Sequence, residues 1–298
     1  MICFTRGLQG IGSALASTSG LGVLAVTYTN DDERSNAMGI AFGGIALGIV
    51  LGPVYGSILY EYGGFVLSFG IIAALALIGG FLEIISMNIA VSKNDAIETG
   101  VFKLILDYKI AICAGTIAVA IYCLVTVNTT LPIHMLNEWD STPIVRGTAF
   151  LPHYVSYMIS TRLVGYCGNK FGRYLISFWS LIILAIAAVL YSFANSFLFI
   201  ILPGLLLGLA VGTIDTSMFT QLGYIVDMKY SNCYGAVYAI GDIAVCLGAT
   251  LGPFINGALV SIIGFTKMFW VTGIITLINS ILVLVLHKQK ENTVHPQK

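Results

Sequence analysis

Charge is what this chain has least of. Asp, Glu, Lys and Arg make up 9% of its 298 residues, where a soluble domain carries about 25%. The deficit excludes a domain wetted on all sides. Nucleic-acid binding is excluded as well: the formal net charge is zero, and no basic patch with interleaved aromatics occurs. Cysteines are few and show no paired spacing. Cys3, Cys113, Cys123, Cys167, Cys233 and Cys246 lie in or beside apolar runs and read as small packing residues, not as disulfides or a metal site. No His/Asp cluster with metal spacing and no Ser/His/Asp arrangement presents itself, so no enzyme, metal or cofactor is expected. A basic n-region is also missing at the start, so no secretory leader is expected. The sequon Asn128-Thr129-Thr130 falls inside an apolar run, where glycosylation is not expected.

What the chain has in abundance is apolar length. Hydrophobic residues make up 57% of it, and the mean hydropathy is +0.92. This composition predicts an all-α membrane protein with about nine transmembrane helices, near 4–28, 37–60, 65–90, 109–134, 147–168, 174–194, 198–224, 235–260 and 266–287. Lys and Arg set the orientation. Arg34, Lys93, Lys103, Lys109, Lys170, Arg173, Lys229, Lys288, Lys290 and Lys298 fall on one side, against Arg146 and Lys267 on the other. The positive-inside rule makes the first side cytoplasmic, the C-terminus included.

The glycines are patterned. Gly48-Ile-Val-Leu-Gly52-Pro53 returns 200 positions later as Gly248-Ala-Thr-Leu-Gly252-Pro253. Upstream, Ser35-Asn36-Ala37-Met38-Gly39 is echoed by Ser231-Asn232-Cys233-Tyr234-Gly235. Such an echo implies a two-fold repeated helical bundle, a common plan of secondary transporters. Gly43, Gly44, Gly48, Gly52 and Gly56 smooth one helical face for close approach by a neighbour, and Pro53 loosens that helix. The polar stretch 92–108 divides the chain. Residues 1–91 form a partial N-terminal half of three helices, 109–287 a six-helix C-terminal half, and 288–298 a cytoplasmic tail. In this register Met1 begins where a fourth helix belongs, so three helices of twelve are expected to be missing. The alternative is a free-standing nine-span protein.

Ionisable groups at membrane depth are costly and mark function. Asp215 and Asp242 lie about 13 and 10 Å inside adjacent spans, at 1.5 Å per residue. Two carboxylates at similar depth suit competition between a proton and an organic cation, and each could instead bond a neighbouring helix. Arg6 and Arg162 are the other candidate charges at mid-membrane depth. Glu83 reads as a snorkelling or locally paired residue, and His134, His153, His287 and His295 as interfacial or tail residues.

Taken together, these strings resemble the major facilitator superfamily. Arg6-x-x-Gln9-Gly10-x-Gly12-Ser13-Ala14 is similar to its fourth-helix motif, whose Arg is implicated in proton coupling. Gly48-x-x-x-Gly52-Pro53-x-x-Gly56 is similar to its fifth-helix antiporter motif. Gly165-Tyr-Cys-Gly-Asn-Lys170-Phe-Gly172-Arg173 resembles the loop between second and third helices of a half, with Asn169 where the family has Asp. A closer resemblance, from about residue 3 to 287, is to the vesicular amine transporters that exchange monoamines or acetylcholine for lumenal protons. It rests on Leu8-Gln-Gly-Ile-Gly-Ser13, Tyr28-Thr-Asn-Asp-Asp-Glu-Arg34, Ala149-Phe-Leu-Pro152, Asp215-Thr-Ser-Met218, Gly223-Tyr-Ile-Val-Asp227 and Tyr234-Gly-Ala-Val-Tyr-Ala-Ile240.

The resemblance implies proton coupling at Asp215, Asp242 and Arg6, and cargo binding at Asp242, Asp215, Tyr157 and Asn128. Asn128 is a departure, standing where the family has an acid shortly before a Pro. The implied activity is a proton-coupled antiporter loading organic cations into secretory or synaptic vesicles, in contact with membrane lipid. A related drug, polyamine or other organic-cation carrier is the alternative. A non-transporting truncated form that associates with full-length carriers is another.

Overall fold

The computed structural model describes residues 2–86, 101–230 and 233–294. Among them every regular element is a helix: α1 Ile2–Thr27, α2 Asp31–Ser86, α3 Val101–Ile105, α4 Tyr108–Trp139, α5 Pro143–Thr148, α6 Leu151–Phe171, α7 Arg173–Tyr191, α8 Phe197–Lys229, α9 Tyr234–Ile263 and α10 Phe265–Val294. The caps follow local chemistry. Asp107 accepts a bond from Lys109 N at the start of α4, and Thr142 with Pro143 opens α5, both favoured at helix starts. Asp140 closes α4 in the left-handed region at φ 43°.

The expected runs 37–60 and 65–90 meet inside the helical stretch Asp31–Ser86, where a kink at Gly64, with φ 62° and ψ −157°, separates two helices. That backbone conformation is open to glycine at little cost. Among the described residues, eight stretches are long and apolar enough to cross a membrane. The expected span 147–168 corresponds to α6. Its 21 residues reach about 31 Å, enough for the hydrocarbon core. Its composition is diluted by His153, Ser156, Ser160 and Thr161, all buried against other helices. A helix that faces protein instead of lipid needs less apolarity.

Small residues decide which helices touch. A Cβ on Gly208 of α8 would lie 1.8 Å from His153 O of α6, and one on Gly39 of α2 would lie 2.4 Å from Thr161 O. So α6 is sandwiched between α2 and α8 with backbones in contact, the arrangement small residues permit in membranes. A second seam joins α4 to α9, where a Cβ on Gly248 would lie 2.3 Å from Ala118 O. Below it Tyr122 OH donates to Asn256 Oδ1 at 2.8 Å, and Asn256 Nδ2 donates to Thr126 Oγ1 at 2.5 Å. Cys113 and Cys123 are buried in this region, and Cys123 Sγ lies 3.3 Å from Thr276 Oγ1 of α10.

The two glycine motifs therefore differ in setting. Gly248 and Gly252 are buried on α4, whereas Gly44, Gly48 and Gly52 face open space. Pro53 and Gly56 lie within α2, but their surroundings fall outside the described residues. Embedding is uneven along the N-terminal helices: 6% of the crossing window of Glu61–Ile85 is buried and 39% of that of Asp31–Gly52, against 61% for Tyr108–Trp139.

Candidate functional site

Asp215 sits in the middle of α8, whose neighbouring turns carry Gly208 and Gly212. Those glycines bring α6 close enough for Tyr157 OH to donate to Asp215 Oδ2 at 2.9 Å. Both residues are buried. The second oxygen, Oδ1, has no partner among the described residues. A carboxyl with one committed and one free oxygen, deep in a helical bundle, is a chemically open position: it can take a proton or a cation.

Asp242, in α9, lies in a different pocket. Thr18 Oγ1 donates to its Oδ2 at 2.6 Å and Ser17 Oγ to its Oδ1 at 3.0 Å, both from α1. Beside it runs a cleft of about 350 Å³, lined by Ala14 and Thr18 of α1 and by Ala239, Asp242, Cys246 and Thr250 of α9 among others. Asp215 and Asp242 share no hydrogen-bond partner among the described contacts.

The other expected residues are distributed unevenly. Asn128 is half-buried, and its Nδ2 donates to Tyr154 OH at 2.9 Å. Arg6 is exposed and donates to Gln9 Oε1 at 2.8 Å. It stands twelve residues from Thr18, about 18 Å along α1, so it is not gathered with Asp242. Arg162 is exposed, on the side of α6 turned from α8. Glu83 is exposed. His153 departs from its expected interfacial place. It is fully buried beside Phe150 and Tyr154, and neither ring nitrogen has a partner among the described residues. His134 stacks on Phe265 with ring centroids 3.8 Å apart.

Sequence reasoning missed the ion pairs at the Lys- and Arg-rich end. Arg34, expected in a loop, lies in the first turn of α2 and is 1% exposed. Its Nη1 meets Asp227 Oδ2 of α8 at 2.5 Å, and its Nε donates to Tyr28 O at 3.1 Å. Tyr234 OH donates to the other oxygen of Asp227, and the Arg34 guanidinium lies 5.5 Å over the Tyr234 ring. Arg173 of α7 pairs with Asp31 of α2 at 2.8 Å. Both pairs tie α2 to the C-terminal helices. Nearby, Asp107 accepts from Lys229 Nζ at 2.6 Å and Tyr230 OH at 2.9 Å. Burial alone would raise the Asp107 carboxyl, but the bonds from Lys229, Lys109 N and Tyr230 hold it below its ordinary value. The signal was available: Arg34 follows three acids that mark a helix start, so a first-turn position was readable. Its partner was not.

Helix count, apolarity and interhelical ion pairs among the described residues define a multi-span helical bundle. Two stretches, residues 1–122 and 110–298, match the Major Facilitator Superfamily, and the chain belongs to that family. It is 40% identical over 279 residues to the chromaffin granule amine transporter of Homo sapiens, a match covering 93% of this chain and 53% of that protein. The synaptic vesicular amine transporter of Mus musculus is 38% identical, with 93% and 54% covered. The vesicular acetylcholine transporter of Drosophila melanogaster is 29% identical, with 90% and 48% covered. The chain thus spans about half the length of the curated relatives it matches. Among solved structures, the human organic anion transporter MFSD10 (TETRAN) has the same fold. Its TM-score is 0.72 at 15% identity, covering 90% of this chain and 67% of that one.

Proposed function

We propose that this chain carries the proton- and cargo-binding carboxylates of a proton-coupled organic-cation antiporter of a vesicle membrane. The observation that carries the reading is the contrast between two carboxylates at membrane depth. Asp215 has one oxygen uncommitted in a buried site, and Asp242 borders a cleft large enough for a small amine. The likeness to vesicular amine and acetylcholine transporters supports the cargo class.

In this reading the helices up to residue 91 and those from 109 to 287 belong to two halves that rock about the site. The Arg34–Asp227 and Arg173–Asp31 pairs close the cytoplasmic end while the lumenal side is open. Lumenal protons neutralise Asp215 and Asp242 and release the cation. Their departure to the cytoplasm restores the charge that binds the next one. Arg6, Tyr157 and Asn128 complete the assignment, Tyr157 by orienting Asp215. The Gly-Pro faces of α2 and α9 are the surfaces on which helices slide.

The test is uptake of a radiolabelled monoamine into acidified proteoliposomes containing the chain. Uptake is expected to vanish when the proton gradient is collapsed and to fall at least about 100-fold in Asp242→Asn, as loss of a buried charged partner implies. Uptake indifferent to either change refutes antiport. The neutral Asn128–Tyr154 pair favours a second reading, a carrier of other organic cations, and competition by polyamines or cationic drugs in the same assay separates the two.

A further inference from the structure

Hydroxyls inside membrane helices usually bond back to their own helix, four residues earlier. Here Thr116 donates to Ile112 O, Thr213 to Leu209 O and Thr220 to Thr216 O in this way. Ser17 and Thr18 do otherwise. Adjacent on α1, they reach across to α9 and give one hydroxyl to each oxygen of Asp242. α1 is otherwise lightly held, with 11% of its crossing window buried. Thr18 also lines the cleft beside Asp242.

We propose that Ser17 and Thr18 are positioning residues that form a hydroxyl latch between α1 and α9, its strength set by the charge on Asp242. The inference rests on the reading of Asp242 as a carboxylate that exchanges a proton and a cation. With Asp242 ionised and the cleft empty, both bonds are charge-assisted, which makes them roughly twice as strong as neutral ones. A proton on the carboxylate, or an organic ammonium in the cleft, takes up that negative charge. The same two hydroxyls then face a weaker acceptor, and α1 is freer to leave α9. Occupancy of the site and separation of the helices are joined through one pair of oxygens. The ligand class is a proton or a small organic ammonium.

The test is a spin-label distance between lipid-facing Leu8 of α1 and Phe254 of α9, both exposed. It is measured on the full chain in nanodiscs after replacement of the native cysteines. Ser17→Ala with Thr18→Val, which removes both bonds, is expected to raise the separated population at least about tenfold, and Asp242→Asn, which leaves weaker neutral bonds, to raise it by less. Combining them should raise it no further than the hydroxyl variant alone, because no latch bond is then left to weaken. Thr18→Ser should keep the short distance, and phenethylamine should lengthen it in the wild type. Additive effects, an unchanged distance in either variant, or a wild type indifferent to phenethylamine overturn the latch. Amine uptake is read separately. A chain that takes up no amine but shows this pattern supports the latch and overturns the transport reading.

Discussion

Replacing Arg34 by Met removes the most deeply buried cation of this fold and tests whether α2 is held to α8 by charge. Arg34 is 1% exposed and loses three interactions together: the 2.5 Å pair with Asp227, the bond to Tyr28 O and the face of Tyr234. Breaking a buried ion pair costs about 3–5 kcal/mol, because the surviving partner is left uncompensated. The surviving partner here is Asp227, whose side chain is 29% exposed and keeps the hydroxyl of Tyr234. Partial rehydration of that carboxylate lowers the expected cost to about 2–3 kcal/mol. At 1.4 kcal/mol per decade this is about a 30- to 150-fold change in the folding equilibrium. The assay is unfolding in bicelles of Arg34→Met, Asp227→Asn and the double variant. Their coupling energy should be about 1–2 kcal/mol, below the Arg34→Met cost because that also carries the Tyr28 O and Tyr234 contacts, and the swap Arg34→Asp with Asp227→Arg should recover part of it. A coupling below about 0.5 kcal/mol, the level of independent sites, refutes the claim that the pair holds these helices.

Two further outcomes follow from contrasts within the chain. The matched glycines of the repeat should respond oppositely to a methyl group. Gly248→Ala drives a Cβ to 2.3 Å from Ala118 O and should cost about 1–3 kcal/mol of unfolding free energy as overpacking. Gly48→Ala meets nothing within 4 Å and should be neutral or gain about 0.5–1 kcal/mol of helix stability, read in the same bicelle assay. The Asp107 cluster should give an acid limb to stability. Its folded value is held low, so its contribution is complete above the ordinary carboxylate range and is lost as pH falls through the lower folded value. Asp107→Asn keeps a capping side chain but removes the charge. It should lower stability at neutral pH by about 1 kcal/mol, because Lys229 is largely exposed and its charge is screened. Its stability should also change less than that of the wild type on acidification below about pH 4.

Much of the fold was legible because apolar length and charge obey one-dimensional rules. The apolar spans needed only windows of hydropathy. Helix α6 shows where that reasoning stops. A window measures how well a segment suits lipid, and α6 is instead buried between α2 and α8, with its serines and His153 turned to protein. Likewise the break between the runs 37–60 and 65–90 takes a single glycine conformation, at Gly64. The carboxylates stood out by type and depth. Tyr157 was named through family likeness, and its bond to Asp215 depends on the glycine face of α8 that lets α6 approach.

The sequence by itself determined that the chain belongs in lipid, that it folds as helices of membrane length, that a glycine-proline helix occurs twice, and that Asp215 and Asp242 are carboxylates set inside apolar runs. These are properties of segments, set by how each residue partitions between water and hydrocarbon. Tertiary structure alone decided the pairings. It put Asp227 against Arg34, Asp31 against Arg173, and Ser17 and Thr18 on Asp242, contacts spanning as many as 225 positions of sequence. It also gave the two glycine motifs different settings, one pressed on α4 and one facing open space. The physical reason is the same in each case. Helix formation satisfies the backbone locally, whereas a charge or hydroxyl in a membrane takes its partner from whichever helix packing brings within about 3 Å.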